Sequence, residues 1–159
     1  MRRPLIVGNW KMNCTISNAA DLVLGLKPAL TTIKGIDVVV CPPFTALGIV
    51  AEILNETDIK VGAQDMYWEE SGAYTGEISP VMLTELCQYV ILGHSERRQL
   101  FGDNDDAVRK KVLAAQQFGL IPIICMGETL DQRDSGYAEQ VIEGQLLAAL
   151  SGSTASGNV

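Results

Sequence analysis

The sequence predicts an α/β fold built on a parallel sheet. Three observations lead there. Short apolar runs alternate along the 159 residues with stretches of helical spacing. The runs are continuous, as in strands covered on both faces, rather than alternately apolar and polar. Their starts recur roughly every 20–35 residues, about the span of one strand–helix–strand unit. Two architectures suit this order: a doubly wound open sheet, or part of a closed (β/α)8 barrel. A complete barrel needs about 250 residues, so this chain supplies about five of the eight units. Periodicity alone does not choose between the two. The length suits one domain, placed over residues 1–150, with a linker over 151–159 where Ser, Gly and Thr collect.

The elements follow in order. Residues 5–7 (LIV) are a buried-strand run closed by Gly8, Asn9, Trp10 and Lys11. Residues 17–30 carry Leu22, Val23, Leu26 and Leu30 at helical spacing. Residues 37–41 (DVVVC) form a second strand, stopped by Pro42 and Pro43. Leu47, Val50, Ala51 and Leu54 then make one helix face. Residues 59–63 are a weaker third strand, followed by a polar, glycine-containing loop. Ser79 and Pro80 are a helix start: a serine cap, then a proline where its missing N–H does no harm. Residues 89–93 are the fourth strand. Acids at 103–106 open the next helix and Gly119 closes it. Residues 121–125 (IPIIC) are the fifth strand, and Ile142, Leu146 and Leu150 mark a last helix over 139–150.

Composition narrows the function. The net charge of −7 disfavours nucleic acid as a partner, although one lysine and a helix N-terminus still suffice to hold a small phosphorylated molecule. Cys14, Cys41, Cys87 and Cys125 are scattered, with no C-x-x-C, and His94 is the only histidine. A zinc site is not expected, and a reducing cytoplasm suits these thiols. The basic start, Arg2 and Arg3, precedes an apolar run far too short for a signal peptide or membrane span.

Polar residues gather where strands end: Asn9 and Lys11 after the first, Gln64 and Asp65 after the third, His94, Ser95 and Glu96 after the fourth, Gly127, Glu128 and Thr129 after the fifth. Ligands of parallel α/β folds bind at that rim. Each residue also has a plain structural reading, as a cap or a solvated loop side chain. His94 precedes the helix-forming run Ser95-Glu96-Arg97-Arg98. A helix N-terminus beside its ring would favour neutral imidazole, which can donate to a substrate oxygen. Lys11 in a cleft would set a cation beside a phosphate or developing oxyanion, and Asn9 could donate to the same oxygen.

Asn9-Trp10-Lys11-Met12-Asn13, directly after a strand, and Val90-Ile91-Leu92-Gly93-His94-Ser95-Glu96-Arg97-Arg98, around the fourth, resemble signatures of the triosephosphate isomerase family. Gly62-Ala63-Gln64-Asp65, Gly72-Ala73-Tyr74-Thr75-Gly76-Glu77-Ile78-Ser79 and Cys125-Met126-Gly127-Glu128-Thr129 match more weakly, in the family's order and spacing. The resemblance implies a TIM (β/α)8 barrel, incomplete here, running from the first strand to the fifth main helix. It implies interconversion of dihydroxyacetone phosphate and D-glyceraldehyde 3-phosphate, without cofactor or metal. Lys11 and Asn9 would bind substrate and stabilise the enediolate. His94 would be the neutral electrophile, with Ser95, Glu96 and Cys125 in support. The family works as a homodimer, and the resemblance puts Thr75, Gly76 and Glu77 in the loop that reaches the other subunit, with Cys14, Gln64 and Arg98 at or near that contact.

The family's general base is a glutamate after a sixth strand, and residues 1–159 hold no such segment. A C-terminal segment of the same protein is therefore an expected partner, and the 159 residues alone are expected to be inactive. Glu128 is the nearest internal carboxylate, but its family counterpart looks supportive. Two other readings stand beside this one: a non-catalytic module acting through the interface surface around Thr75, and an unrelated flavodoxin-like binding protein.

Overall fold

A computed structural model describes residues 3–153. Its strands are β1 (Leu5–Asn9), β2 (Asp37–Cys41), β3 (Lys60–Ala63), β4 (Tyr89–Leu92) and β5 (Ile121–Ile124), and its helices are α1 (Ile16–Leu30), α2 (Phe44–Leu54), α3 (Pro80–Thr84), α4 (Ser95–Leu100), α5 (Asp105–Gln117), α6 (Leu130–Asp134) and α7 (Ala138–Leu150). The five strands form one sheet in the order β1-β2-β3-β4-β5, every neighbouring pair parallel.

That order resolves the choice left open by periodicity. Parallel crossovers are right-handed. When each strand is added on the same side of the last, every crossover falls on the same face. A doubly wound sheet instead reverses direction and covers both faces. The packing agrees. One apolar cluster joins outward strand residues such as Val38, Val40, Val61, Val90 and Leu92 to Ala19, Val23, Leu47, Val50, Val108 and Val112 of the helices. The other side of the sheet holds Val39, Cys41, Tyr89 and Ile91 against Leu5, Val7, Ile121 and Ile123, all from strands. Successive residues of a strand point to opposite faces, so β2, β4 and β5 contribute to both clusters.

Helix boundaries follow from capping. Thr15 Oγ1 accepts from Asn18 N at 3.3 Å and opens α1 one residue before the expected start. The buried face of α1 is Ala19 and Val23, while Leu22 is 41% exposed. Leu22 lies a full 100° round from Val23, and the small Ala19, one turn away, takes the core position instead. Ser79 caps α3 as expected, through Met82 N, although the helix lasts only five residues. Gly119 follows α5 with φ +78°. Thr129 and Gln132 form a reciprocal capping box that starts α6, an element with no apolar periodicity to announce it. On α7 the expected face is half open: Ile142, Leu146 and Leu150 remain 36–38% exposed, and Ala149 is its buried residue. Of the expected linker, residues 151–153 form a turn hydrogen-bonded back to Leu150, and the remainder lies outside the described residues.

Candidate active site at the carboxyl rim

Two strand-end turns build the site. At the end of β4 the chain must reverse toward α4 in no space. Gly93 has φ +72°, and a Cβ there would lie 3.0 Å from Arg98 Nη2, 3.0 Å from Val108 Cγ2 and 3.1 Å from the Cys125 carbonyl. Only glycine satisfies both demands. His94 follows as the cap of α4, its Nδ1 accepting from Glu96 N at 3.3 Å. A nitrogen that accepts carries no proton, so this bond leaves the hydrogen on Nε2, and Glu96 Oε2 also lies 3.5 Å from Nδ1. At the end of β1, Lys11 adopts φ +53°, a left-handed conformation that side chains rarely take. Asn9 Oδ1 accepts from Lys11 N at 2.9 Å, and Gln64 Nε2 donates to the Lys11 carbonyl at 2.9 Å and to the Cys41 carbonyl at 2.8 Å. Side chains from the ends of β1 and β3 thus clamp the Lys11 main chain.

Asn9, Lys11, Gln64, His94, Glu96 and Arg97 line one cavity of about 210 Å³. Its size suits a ligand of a few carbons. Lys11 Nζ lies 2.6 Å from Glu96 Oε1, and that hydrogen bond, with the ammonium's charge, holds the Glu96 carboxyl below the usual carboxylate range. Both side chains are about half exposed, so solvent screens the pair and leaves the ammonium open to exchange partners. The cavity therefore offers a mobile cation, a neutral N–H donor and an amide, an arrangement able to hold an anion and polarise a carbonyl.

His94 also lines a second cavity, of about 580 Å³, with Ser95, Arg98, Cys125 and Glu128. The expected supporting residues thus divide: Glu96 joins Lys11, whereas Ser95 and Cys125 face the β5 side. Burial pushes the Cys125 thiol up, which keeps it protonated. Glu128 is almost fully buried and paired to Arg133, whose Nε lies 2.7 Å from Oε1; a hydrogen bond from its own amide and that guanidinium hold its carboxyl below the ordinary range. Among the expected interface residues, Thr75, Gly76 and Glu77 are exposed on a loop ordered by stacking of Tyr67 on Trp68 and on Tyr74, with centroids 4.0 and 4.6 Å apart. Cys14, at φ +78°, is half-buried. The Arg98 side chain is 15% exposed and bound to Gly93 and Asp105.

Reading the rim as a list of polar residues misses the group beneath it. Asp65, Arg97, Asp103 and Lys111 form a buried ion cluster. Lys111 Nζ lies 2.8 Å from Asp65 Oδ1 and 2.9 Å from Asp103 Oδ2, and Arg97 Nε lies 2.7 and 3.0 Å from the same two carboxylates. Burial would raise Asp103, but hydrogen bonds from Lys111 and Arg97 outweigh it and hold the carboxyl below its ordinary value. Asp103 is thus turned inward and does not serve as a first-turn acid; Asn104 caps α5, and Asp105 and Asp106 supply the charge. A signal existed. Lys111 occupies the helix stripe of Val108, Val112 and Ala115, a lysine where the pattern demands an apolar side chain. Among the described residues no three metal-ligating side chains come together, and no helix is long and apolar enough to cross a membrane.

The comparisons with known proteins meet this geometry. The family model for triosephosphate isomerase matches residues 4–159. The triosephosphate isomerase of Dehalococcoides mccartyi strain CBDB1 is 51% identical over 152 residues, covering 96% of this chain and 60% of that protein. That of Herpetosiphon aurantiacus is 54% identical over 156 residues, covering 98% of this chain and 62% of its own. The crystal structure of triosephosphate isomerase from Bartonella henselae superposes with a TM-score of 0.93 at 38% identity, covering 99% of this chain and 66% of that one. The chain spans about 60% of the length of the curated relatives it matches. Its five parallel strands form an open, incomplete (β/α)8 barrel. The chain belongs to the triosephosphate isomerase family.

Proposed function

We propose that this chain, within the whole protein, interconverts dihydroxyacetone phosphate and D-glyceraldehyde 3-phosphate through an enediolate, as a cytoplasmic step of glycolysis and gluconeogenesis. One observation carries the reading: the Lys11 ammonium, paired with Glu96 85 residues further on, and the His94 ring line one small cavity with Asn9. The roles follow from the atoms. Lys11 exchanges Glu96 for the substrate's negative charge. Asn9 donates to the oxygen that becomes the enediolate. His94, neutral with hydrogen on Nε2, donates that proton to one oxygen and takes it from the other. Ser95, Glu96 and Cys125 support the site. Residues 1–150 are read as the first five units of a single barrel domain.

Abstraction of the carbon-bound proton needs a basic carboxylate. Among the described residues those near the cavities are committed: Glu96 to Lys11, Asp65 to Lys111 and Arg97, Asp105 to Arg98, Glu128 to Arg133. Glu96 and Glu128, held below the ordinary carboxylate range, are poor bases, and Asp65, raised by burial, is bound by two cations in the ion cluster. We assign the abstraction to a glutamate outside the 159 residues and expect this chain alone to turn over at least ~10²-fold more slowly than the whole protein, because a positioned base contributes about 10²–10⁴-fold. Assays of the 159 residues with and without the remaining segment check this; brisk turnover by the chain alone would refute it. A homodimer is proposed through the exposed loop at Thr75, Gly76 and Glu77, with Cys14, Gln64 and Arg98 at or near the contact with the other subunit. The same exposed loop is what supports the alternative, a non-catalytic module. His94→Gln separates the two readings. In the whole protein it should lower kcat about 10²–10⁴-fold, the usual yield of a positioned acid–base group, while moving Tm by only a few degrees. A kcat within a few-fold of the parent would remove His94 from the chemistry.

A further inference from the structure

We propose that Arg98 is a positioning residue for His94: it holds both peptide carbonyls that flank the histidine and so keeps the imidazole presenting its Nε2–H to the cavity. Its guanidinium Nε donates to the Gly93 carbonyl at 2.8 Å, and its main-chain N donates to the His94 carbonyl at 3.0 Å. The first bond orients the peptide plane that carries His94 N. The second closes the first turn of α4, whose Glu96 N–H bonds His94 Nδ1. The guanidinium is itself oriented from outside, Nη1 donating to Asp105 Oδ1 at 2.7 Å at the start of α5.

The third edge of the fork shows how closely the group is fitted. Nη2 is buried and makes no hydrogen bond, and it sits where a Gly93 side chain would be, 3.0 Å from that Cβ position. An unsatisfied buried donor is costly, so the other two edges and the fit against Gly93 have to sustain it. Lysine retains the charge for Asp105 but has no planar fork to hold a carbonyl and a carboxylate together. The role differs from the interface position implied by resemblance, and it deepens the isomerase reading on which its meaning rests.

His94 is the only histidine of the 159 residues, and in the histidine-labelled whole protein its imidazole is identified by the signal that His94→Gln removes. Long-range ¹H–¹⁵N correlation reads which nitrogen carries the proton. The parent should show Nε2 protonated and Nδ1 bare. Arg98→Lys should lower that tautomer ratio about fivefold, the bias one hydrogen bond supplies, with far-UV dichroism and a cooperative melt retained. Asp105→Asn, which leaves the Gly93 bond in place, should lower it about twofold. An unchanged imidazole in Arg98→Lys overturns the proposal. If that variant does not fold, an unchanged imidazole in Asp105→Asn overturns it. So does an equal change in Arg109→Ala, which breaks a distant surface pair with Asp106. This readout needs no turnover: failure of His94→Gln to slow the isomerase would sink the functional reading and leave the positioning result standing.

Discussion

The two turns that build the rim solve the same conformational problem with opposite means. After β4 the left-handed residue is Gly93, walled in by Arg98, Val108 and the Cys125 carbonyl. After β1 it is Lys11, in the open, held by Asn9 and Gln64 through its main chain. At the first turn space excludes a side chain. At the second, space permits one, and the chain accepts roughly 1–2 kcal/mol of left-handed strain to keep a cation there. Strain maintained by surrounding contacts, where glycine would relieve it, points to a side chain retained for function. The β4 turn is also supported from below by the Asp65–Arg97–Asp103–Lys111 cluster, whereas the Lys11 ammonium rests on one solvent-screened carboxylate. One turn is rigid and places a directional donor; the other places a charge that must move from Glu96 to substrate.

The sharpest break of this contrast is Lys111→Met. It strips the cation from two buried carboxylates and should cost about 3–5 kcal/mol, read by chemical denaturation. The pH dependence gives the sign independently. The Asp103 carboxyl is depressed in the fold, so its stabilisation is complete above the ordinary value of about 3.9 and is lost as pH falls through the lower folded value. Without Lys111 the folded value rises toward the ordinary one, so that acid-dependent loss should become smaller. An unchanged acid limb would show that the cluster does not support the turn.

Gly93→Ala should cost about 2–4 kcal/mol, combining a left-handed alanine with three contacts near 3 Å. A loss below 1 kcal/mol would mean that the β4 turn yields, and the claimed rigidity would fail. Lys11→Gly should move stability by no more than about 1 kcal/mol, since relieved strain offsets the greater freedom of the unfolded chain. It should nevertheless abolish measurable calorimetric binding of a phosphorylated triose analogue by the whole protein. Preserved binding would remove Lys11 from the anion site; a large loss of stability would show that its side chain belongs to the fold.

Much of this was legible beforehand. Continuous apolar runs located all five strands to within a residue or two, because a strand covered on both faces has no polar positions to confuse the signal. The capping residues Ser79 and Gly119 and the motifs around Lys11 and His94 located the rim. Helical spacing counts Leu22 among the apolar positions of α1, yet packing leaves it 41% exposed and buries Ala19. The face of α7 was read correctly as apolar, yet its burial depends on what lies against it, which no single helix specifies. Asp103 has the position of a first-turn acid because a helix start attracts acids, yet Arg97 and Lys111, which also hold the distant Asp65, turn it inward.

By itself the sequence determined the alternation of strands and helices, the glycine that β4 requires before His94, and the residue types available at each strand end. These are local matters of sterics, periodicity and capping. Only the tertiary structure decided that the core-forming helices pack on one face, that Lys11 meets Glu96 across 85 residues, and that Arg98 grips the Gly93 carbonyl. Strand order and the direction of a side chain are set by which distant segments pack together, and a linear pattern carries no record of that until the chain closes on itself.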